Sequence, residues 1–264
     1  MGDRGRRPML RAAAFLIVVV EENMRLQDSA ALITGASKGL GLEIAREYAK
    51  RGARLVIAAR QPEALEQAAA ELRQKTEVVS VAMDVSQEAE RLVEEGLERF
   101  GRIDVLVNNA SELGPSPMPP LDSLSWQDME RILRVNVSAP LHLTQLVLPQ
   151  MRTRATGVII NVTSDAGVEA YAGWGGYGAS KAALEQMSRV LAEELAGSGI
   201  RVYVVDPGDM NTEMHRHAEP GVDLSRLPGP EVSAPAFARL VEEETAGFGR
   251  FKAQEIVAVA ETGR

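Results

Sequence analysis

In the stretch YGASK, Tyr177 and Lys181 stand four residues apart, so on a helix they share one face with Cβ atoms about 5–6 Å apart. That spacing suits proton transfer. A phenol with a pKa near 10 is a sluggish acid or base at neutral pH, and a neighbouring ammonium favours the phenolate and brings it toward the working range. With four tyrosines and five lysines in 264 residues, chance supplies such a pair with a probability of roughly 0.08, so the pair alone is weak. Ser164 strengthens it. This serine lies thirteen positions before Tyr177, at the end of an apolar run that reads as a strand, which is where ligands sit in open α/β sheets.

A second constellation lies near the start. Thr34 to Gly41 reads TGASKGLG, directly after one apolar run and opening an amphipathic stretch that carries Ile44, Ala45 and Tyr48. Gly35, Gly39 and Gly41 allow a tight turn and a close approach of main chain to a pyrophosphate, and the helix N-terminus attracts its charge. Ser37, Lys38 and Leu40 complete the turn and are read with the glycines as cofactor-binding. The end of the next strand, in LVIAARQ, bears on which dinucleotide is taken. An NAD-selective site places a carboxylate there for the ribose hydroxyls; here Ala59 is followed by Arg60. A carboxylate would repel a 2′-phosphate, whereas Arg60 can grip it and Lys38 can reach it from the opposite side. The expected cofactor is therefore NADP(H).

Both constellations need a scaffold, and the chain supplies its pattern. Short runs rich in β-branched residues at Ala30–Ile33, Arg54–Ala59, Glu77–Ala82, Ile103–Val107, Val158–Val162 and Ile200–Val205 alternate with longer amphipathic stretches. This is the signature of βαβ units and a parallel sheet. Gly52, Gly101 and Gly199 each stand between a helical run and a strand, where a left-handed glycine ends a helix. Pro115 to Pro120 marks a surface loop. Long helices are expected at about 123–152 and 177–197.

The spacing of the glycines resembles the short-chain dehydrogenase/reductase family, and further motifs follow in its order: Asp84-Val85, Asn108-Asn109-Ala110, Asn136, Ser164, Tyr177 with Lys181, then Pro207-Gly208 and Thr212. The resemblance spans about residues 26 to 212. It implies a single doubly wound Rossmann-type domain, a mostly parallel seven-stranded sheet with helices on both faces. It also implies roles. Asp84 and Val85 would hold the adenine, Asn108 and Ala110 would line the ribose side, and Pro207, Gly208 and Thr212 would flank the nicotinamide. Ser164 would hydrogen-bond the substrate oxygen while Tyr177 gives or takes its proton. Lys181 would hold the ribose as well, and Asn136 would hold a water joining Lys181 to solvent. Three positions depart from the family: Ser111 stands where a glycine is usual, Asp206 replaces an asparagine, and the last strand lacks a glycine-rich ending. The first two should be tolerated.

Composition bounds the rest. A 264-residue chain with 45% hydrophobic and 25% charged residues fits one large α/β domain. A net charge of −8 with no concentrated basic face argues against nucleic acid. The absence of cysteine removes disulfides, thiolate metal sites and cysteine nucleophiles. Arg4, Arg6, Arg7 and Arg11 precede an apolar run from Ala12 to Val20, which is shorter than the roughly 20 residues of a membrane span. Residues 1–24 are read as a loosely ordered extension, or as sequence upstream of a true start at Met24, ahead of a domain over 25–264 in a cytoplasmic protein. His215 and His217 lie in a segment, about 209–230, read as a substrate lid rather than a metal site. Tyr171 and Trp174 form either an apolar wall of the site or ordinary packing. The partners expected are a small carbonyl or alcohol substrate and further copies of the chain, as a homotetramer or homodimer, with no membrane. The alternative is a non-catalytic NADP(H)-binding sensor or scaffold, which has no need of Ser164, Tyr177 and Lys181 together.

Overall fold

A computed structural model describes residues 24–262; the run from Ala12 to Val20 lies outside the described residues. Strands β1 (Ala30–Thr34), β2 (Arg54–Ala59), β3 (Val78–Ala82), β4 (Val105–Asn108), β5 (Gly157–Val162), β6 (Ile200–Asp206) and β7 (Phe248–Lys252) form one sheet in the order 3-2-1-4-5-6-7. All of its pairings are parallel. Strand order reverses between β1 and β4, which opens a crevice at their carboxyl ends.

The register follows from alternation. Ala31, Ile33, Leu55, Ile57, Val105, Val107, Val158 and Ile160 face one way and pack under Leu40, Ile44 and Tyr48 of α1 (Gly39–Lys50), Leu65 and Leu72 of α2 (Pro62–Leu72) and Phe237 of α8 (Ala234–Glu242). Their neighbours Ala30, Leu32, Val56, Leu106, Ile159 and Val202 face the other way, under Leu92 and Val93 of α3 (Ala89–Phe100) and Leu143, Val147 and Met151 of α5 (Ala139–Arg154). A fully buried Val, Leu or Ile contributes roughly 1.5–3 kcal/mol, and a one-residue slip would exchange the two faces.

Helix α4 (Trp126–Leu133) starts at Ser125, whose Oγ accepts from the Asp128 amide at 3.1 Å, and runs through a π-helical turn, Arg134–Ser138, directly into α5. The long helix expected at about 123–152 is thus one rod with a π segment in its middle, and Asn136 sits in that segment. Helix α6 (Gly175–Glu194) carries Tyr177 and Lys181. Gly52, Gly101 and Gly199 all have positive φ, as expected from their places at helix ends.

Strand β7 escaped placement from the sequence, and its structure explains why. In FGRFK the glycine and the charged residues hide the alternation. Phe251 packs edge-on against Tyr203 with centroids 5.5 Å apart, while Arg250 turns to the opposite face. The chain then passes without a glycine turn into α9 (Ala253–Thr262).

Candidate active site

The crevice is built first from main chain. Thr34 ends β1, and its Oγ1 accepts from the amides of Asn109 and Ala110, each at 3.0 Å. Asn109 Nδ2 in turn donates to the carbonyl of Thr34 at 2.9 Å and that of Gly35 at 3.3 Å. Asn109 therefore straps the glycine turn to the end of β4, a role not read from the sequence. Gly35 has φ +68° and a Cβ there would lie 2.9 Å from Asn109 Nδ2, while a Cβ on Gly41 would collide with the Gly35 carbonyl. Helix α1 has no side-chain cap and no acidic residue in its first turn, so its leading amides face the bare turn. These residues fit a dinucleotide pyrophosphate: a concave stretch of main chain at the N-terminus of a three-turn helix.

The two cations read as phosphate ligands flank this turn, each beside a carboxylate. Lys38 Nζ lies 2.7 Å from Glu213 Oε2, with both side chains more than half exposed, and Arg60 lies 3.7 Å from Glu112 Oε2. Asp84 accepts from Ser86 N at 2.9 Å and Ser86 Oγ at 2.7 Å. Burial pushes its carboxyl up, but the Ser86 bonds and the charge of Arg60 outweigh that and hold it below the usual range. Val85 is buried in the apolar layer beside it. Asn108 departs from expectation. Its side chain turns into the layer beneath α6, where Nδ2 donates to Asn161 Oδ1 at 2.8 Å, so only its main chain is left to face the crevice. Asn161 Nδ2 continues the chain of bonds to Ser188 at 2.8 Å.

At the next strand end, Ser164 opens a short 3₁₀ turn, Asp165–Gly167. Its Oγ donates to Asp165 Oδ1 at 2.9 Å and accepts from the Ala166 amide at 3.2 Å. Tyr177 and Lys181 reach the same place from α6, 8% and 2% exposed. Lys181 Nζ donates to the Val162 carbonyl at 2.8 Å and lies 5.4 Å from the centroid of the Tyr177 ring. One expectation is corrected here. Burial raises the Tyr177 pKa, the hydroxyls of Ser111 and Ser164 pull it back, and the charges of Asp206 and Asp165 add to the rise. Lys181 is not the phenol's controlling neighbour in this arrangement, because its ammonium is turned to a carbonyl beside the ring. Asn136, 1% exposed, is committed on every side: its Oδ1 accepts from Ser111 Oγ at 3.2 Å and Glu112 N at 2.7 Å, and its Nδ2 donates to Glu112 O at 2.8 Å and Ser180 Oγ at 2.9 Å. Its side chain has no position left for a water; it pins the 111–112 loop to α6. Ser111, read only as a tolerated departure, joins Asn136 to Tyr177.

Burial brings the Lys181 pKa down to about 7 from 10.5. Between these values the unfolded chain binds more protons than the folded one, so stability should rise as the pH rises through that window and be lowest below it. Lys181→Met should flatten this rise. Denaturant unfolding of the two proteins at neutral and alkaline pH checks it, and equal slopes in both would contradict it.

The two remaining departures form one network. Arg250 Nε donates to both carboxylate oxygens of Glu185, a buried residue of α6, at 3.1 Å. Its Nη2 donates to the Ser164 carbonyl at 3.4 Å and lies 3.9 Å from Asp206. Thr163 Oγ1 donates to Glu185 at 2.8 Å, and Gly208 N donates to Asp206 at 2.9 Å. Burial raises the Asp206 pKa, against the Gly208 amide and Arg250. The Asp in place of Asn and the unusual last strand are thus matched: Arg250 supplies the charge that Asp206 and Glu185 need. Glu185 lies one turn after Lys181 on the same helix.

Beyond β6, Pro207 is buried and its carbonyl accepts from Ser233 Oγ at 2.7 Å. Thr212 Oγ1 accepts from the His215 amide at 3.2 Å and caps α7 (Glu213–Ala218). This segment touches both rims of the crevice, through Lys38 and through Ser116 Oγ, which donates to the His217 carbonyl at 2.7 Å. His215 Nδ1 lies 3.2 Å from the Met210 carbonyl. Tyr171, Trp174 and Tyr177 form an edge-to-face series with centroids 6.3 and 5.9 Å apart.

A parallel sheet with its order reversed at β1/β4, a glycine cradle at that point and catalytic-type side chains at the adjacent strand ends define a doubly wound, Rossmann-type nucleotide-binding domain. The family model for the short chain dehydrogenases matches residues 29–223, and the chain belongs to that family. It is 38% identical over 198 residues to the rhamnolipids biosynthesis 3-oxoacyl-(acyl-carrier-protein) reductase of Pseudomonas aeruginosa, over 71% of this chain and 75% of that one. It is similar to a structure from Pseudomonas syringae described as a short chain dehydrogenase, with a TM-score of 0.81 and 31% identity over 87% of this chain and 96% of that one. One from Shigella flexneri, complexed with NADP, gives 0.78 and 30% over 86% and 98%. Among the described residues no helix is long and apolar enough to cross a membrane.

Proposed function

We propose that this chain is an NADP(H)-dependent oxidoreductase that transfers a hydride between the nicotinamide and a carbonyl or alcohol carbon, working mainly as a reductase. The observation that carries the reading is the meeting of Ser164 and Tyr177 beside the glycine cradle. When bound, the reduced nicotinamide supplies the hydride. Gly35, Ser37, Gly39, Leu40 and Gly41 seat the pyrophosphate; Asp84 and Val85 border the adenine, the main chain of Asn108 and Ala110 borders the ribose, and Pro207, Gly208 and Thr212 border the nicotinamide. Ser164 rotates its hydroxyl from Asp165 to the substrate oxygen, and Tyr177 gives that oxygen its proton. Lys181 holds the ribose beside Tyr177. Asn136 acts by positioning the loop that carries Ser111. Residues 209–230, tied to both rims, serve as the lid.

The choice of NADP(H) rests on Lys38, Arg60 and the absence of a carboxylate at Ala59, and a relative of this fold was solved with NADP. The test is NADPH consumption across ketones, 3-oxoacyl thioesters, quinones and sugars. Turnover with one class and none without substrate is the expected result; tight NADPH binding with no turnover in any class would turn the reading to the sensor or scaffold.

We also propose a homotetramer, or else a homodimer, through α5 and α6. Leu141 and Val190 are 38% and 47% exposed along a groove between these helices that also contains Met187 and Leu191. Light scattering that shows a monomer at micromolar concentration would remove this.

A further inference from the structure

Asp165 stands beside the reacting group rather than behind it. One oxygen accepts the Ser164 hydroxyl at 2.9 Å and the Ala166 amide at 2.8 Å, and the other accepts the Tyr171 hydroxyl at 2.9 Å. Several other carboxylates at this end of the sheet have cations: Asp206 and Glu185 have Arg250, Glu112 has Arg60 and Arg131, and Glu213 has Lys38. Asp165 has none. Among the described residues no Lys, Arg or His nitrogen comes within 4.0 Å of it. Its donors are all neutral, and Oδ2, with a single donor, keeps one acceptor position. The charge is fixed in place, since the carboxylate is half-buried and oriented from three sides.

What surrounds it points to the same ligand chemistry. Trp174 lies between Tyr171 and Tyr177, edge-to-face with both, so aromatic surface adjoins the carboxylate. Aromatic faces beside a carboxylate attract a cation. The Tyr171 hydroxyl is held protonated first by its bond to Asp165 and then by burial, with the charges of Glu169 and Asp209 adding to the effect. The charges that act on Tyr171 are thus those of Asp165, Glu169 and Asp209, and like charge on a ligand at that side would be disfavoured.

Resting on the reading of this site as a carbonyl reductase, we infer that its substrate carries a protonated amine a few atoms from the reacting carbonyl, and that Asp165 is the specificity-determining residue that binds it. The ammonium takes the free position on Oδ2 while its carbon substituents lie against Trp174 and Tyr171.

A matched pair of ketones tests this: N-methyl-4-piperidone, which is protonated at neutral pH, and 4-methylcyclohexanone, its neutral isostere. With saturating NADPH the wild-type protein should prefer the cation at least tenfold in kcat/KM. Asp165→Asn keeps the size of the side chain and should bring the ratio close to unity, whereas Asp165→Glu should retain part of the preference. A wild-type ratio at or below unity, or the same ratio in Asp165→Asn with unchanged thermal stability and NADPH affinity, overturns the inference. If neither ketone turns over, the reductase reading is what suffers. Calorimetric affinities of the same two compounds for the NADP-loaded wild-type and Asp165→Asn proteins then decide the inference on the same ratios.

Discussion

Replacing Tyr177 by Phe is expected to lower kcat by roughly 10²- to 10⁴-fold, the usual contribution of a positioned proton donor, with the dinucleotide dissociation constant left near that of wild type. Only the hydroxyl is deleted. The ring keeps its place between Trp174, 5.9 Å away, and the Lys181 ammonium, 5.4 Å away, and the hydroxyl's neighbours Ser111 and Ser164 keep partners in Asn136 and Asp165. No buried polar group is stranded, so the fold should be unaffected. Single-turnover kinetics with NADPH separate the chemical step from binding. A variant that retains more than about a tenth of the wild-type rate would remove Tyr177 from the acid/base role.

The second large effect concerns the cofactor. Wild-type protein is expected to prefer NADPH over NADH by about a hundredfold or more in kcat/KM, since each charge-assisted contact to a phosphate is worth roughly 1.5–3 kcal/mol. Lys38 rests against Glu213 in an exposed ion pair, which contributes only about 0–1 kcal/mol, and Arg60 lies 3.7 Å from Glu112, beyond direct hydrogen-bond reach. A 2′-phosphate therefore displaces those carboxylates at little cost. Neutralising one cation leaves the other in place, so Lys38→Gln or Arg60→Gln alone should weaken the preference by about tenfold. Ala59→Asp combined with both should reverse it. An NADH value equal to or above that for NADPH in the unaltered protein would overturn the NADP(H) proposal, and with it the inference that the enzyme works mainly as a reductase.

The Lys38–Glu213 pair adds a consequence. It joins the glycine turn to α7 across 175 positions of sequence, so a phosphate that takes Lys38 also unfastens one end of the segment proposed as the lid.

Much of this protein is written locally. The period-two alternation of Ala31, Ile33, Leu55, Ile57, Val105 and Val107 against Ala30, Leu32, Val56 and Leu106 is a property of neighbouring residues, and it suffices to mark buried parallel strands. The left-handed glycines at 52, 101 and 199 and the bare turn at 35–41 follow from sterics within a few residues. The four-residue spacing of Tyr177 and Lys181 places both on one face of α6 through helical geometry alone. These features carry the fold class, the family and the set of residues that could perform the chemistry.

The strand order decided the rest, because it sets which distant side chains meet and therefore which charges are paired and which hydrogen bonds are already in use. Arg250 finds Glu185 across 65 positions, which turned an unreadable FGRFK segment into the seventh strand and matched Asp206 with a cation. Asn136 finds Glu112 and Ser111, 24 and 25 positions away, which commits its side chain to the 111–112 loop. Lys181 finds the Val162 carbonyl and not the phenol oxygen. Asp165, adjacent to Ser164 in the chain, finds no cation among the described residues. Residue types and short spacings give each group its possible partners, but hydrogen bonds and ion pairs act over only a few ångströms, so the partner chosen depends on tertiary placement that no local pattern encodes.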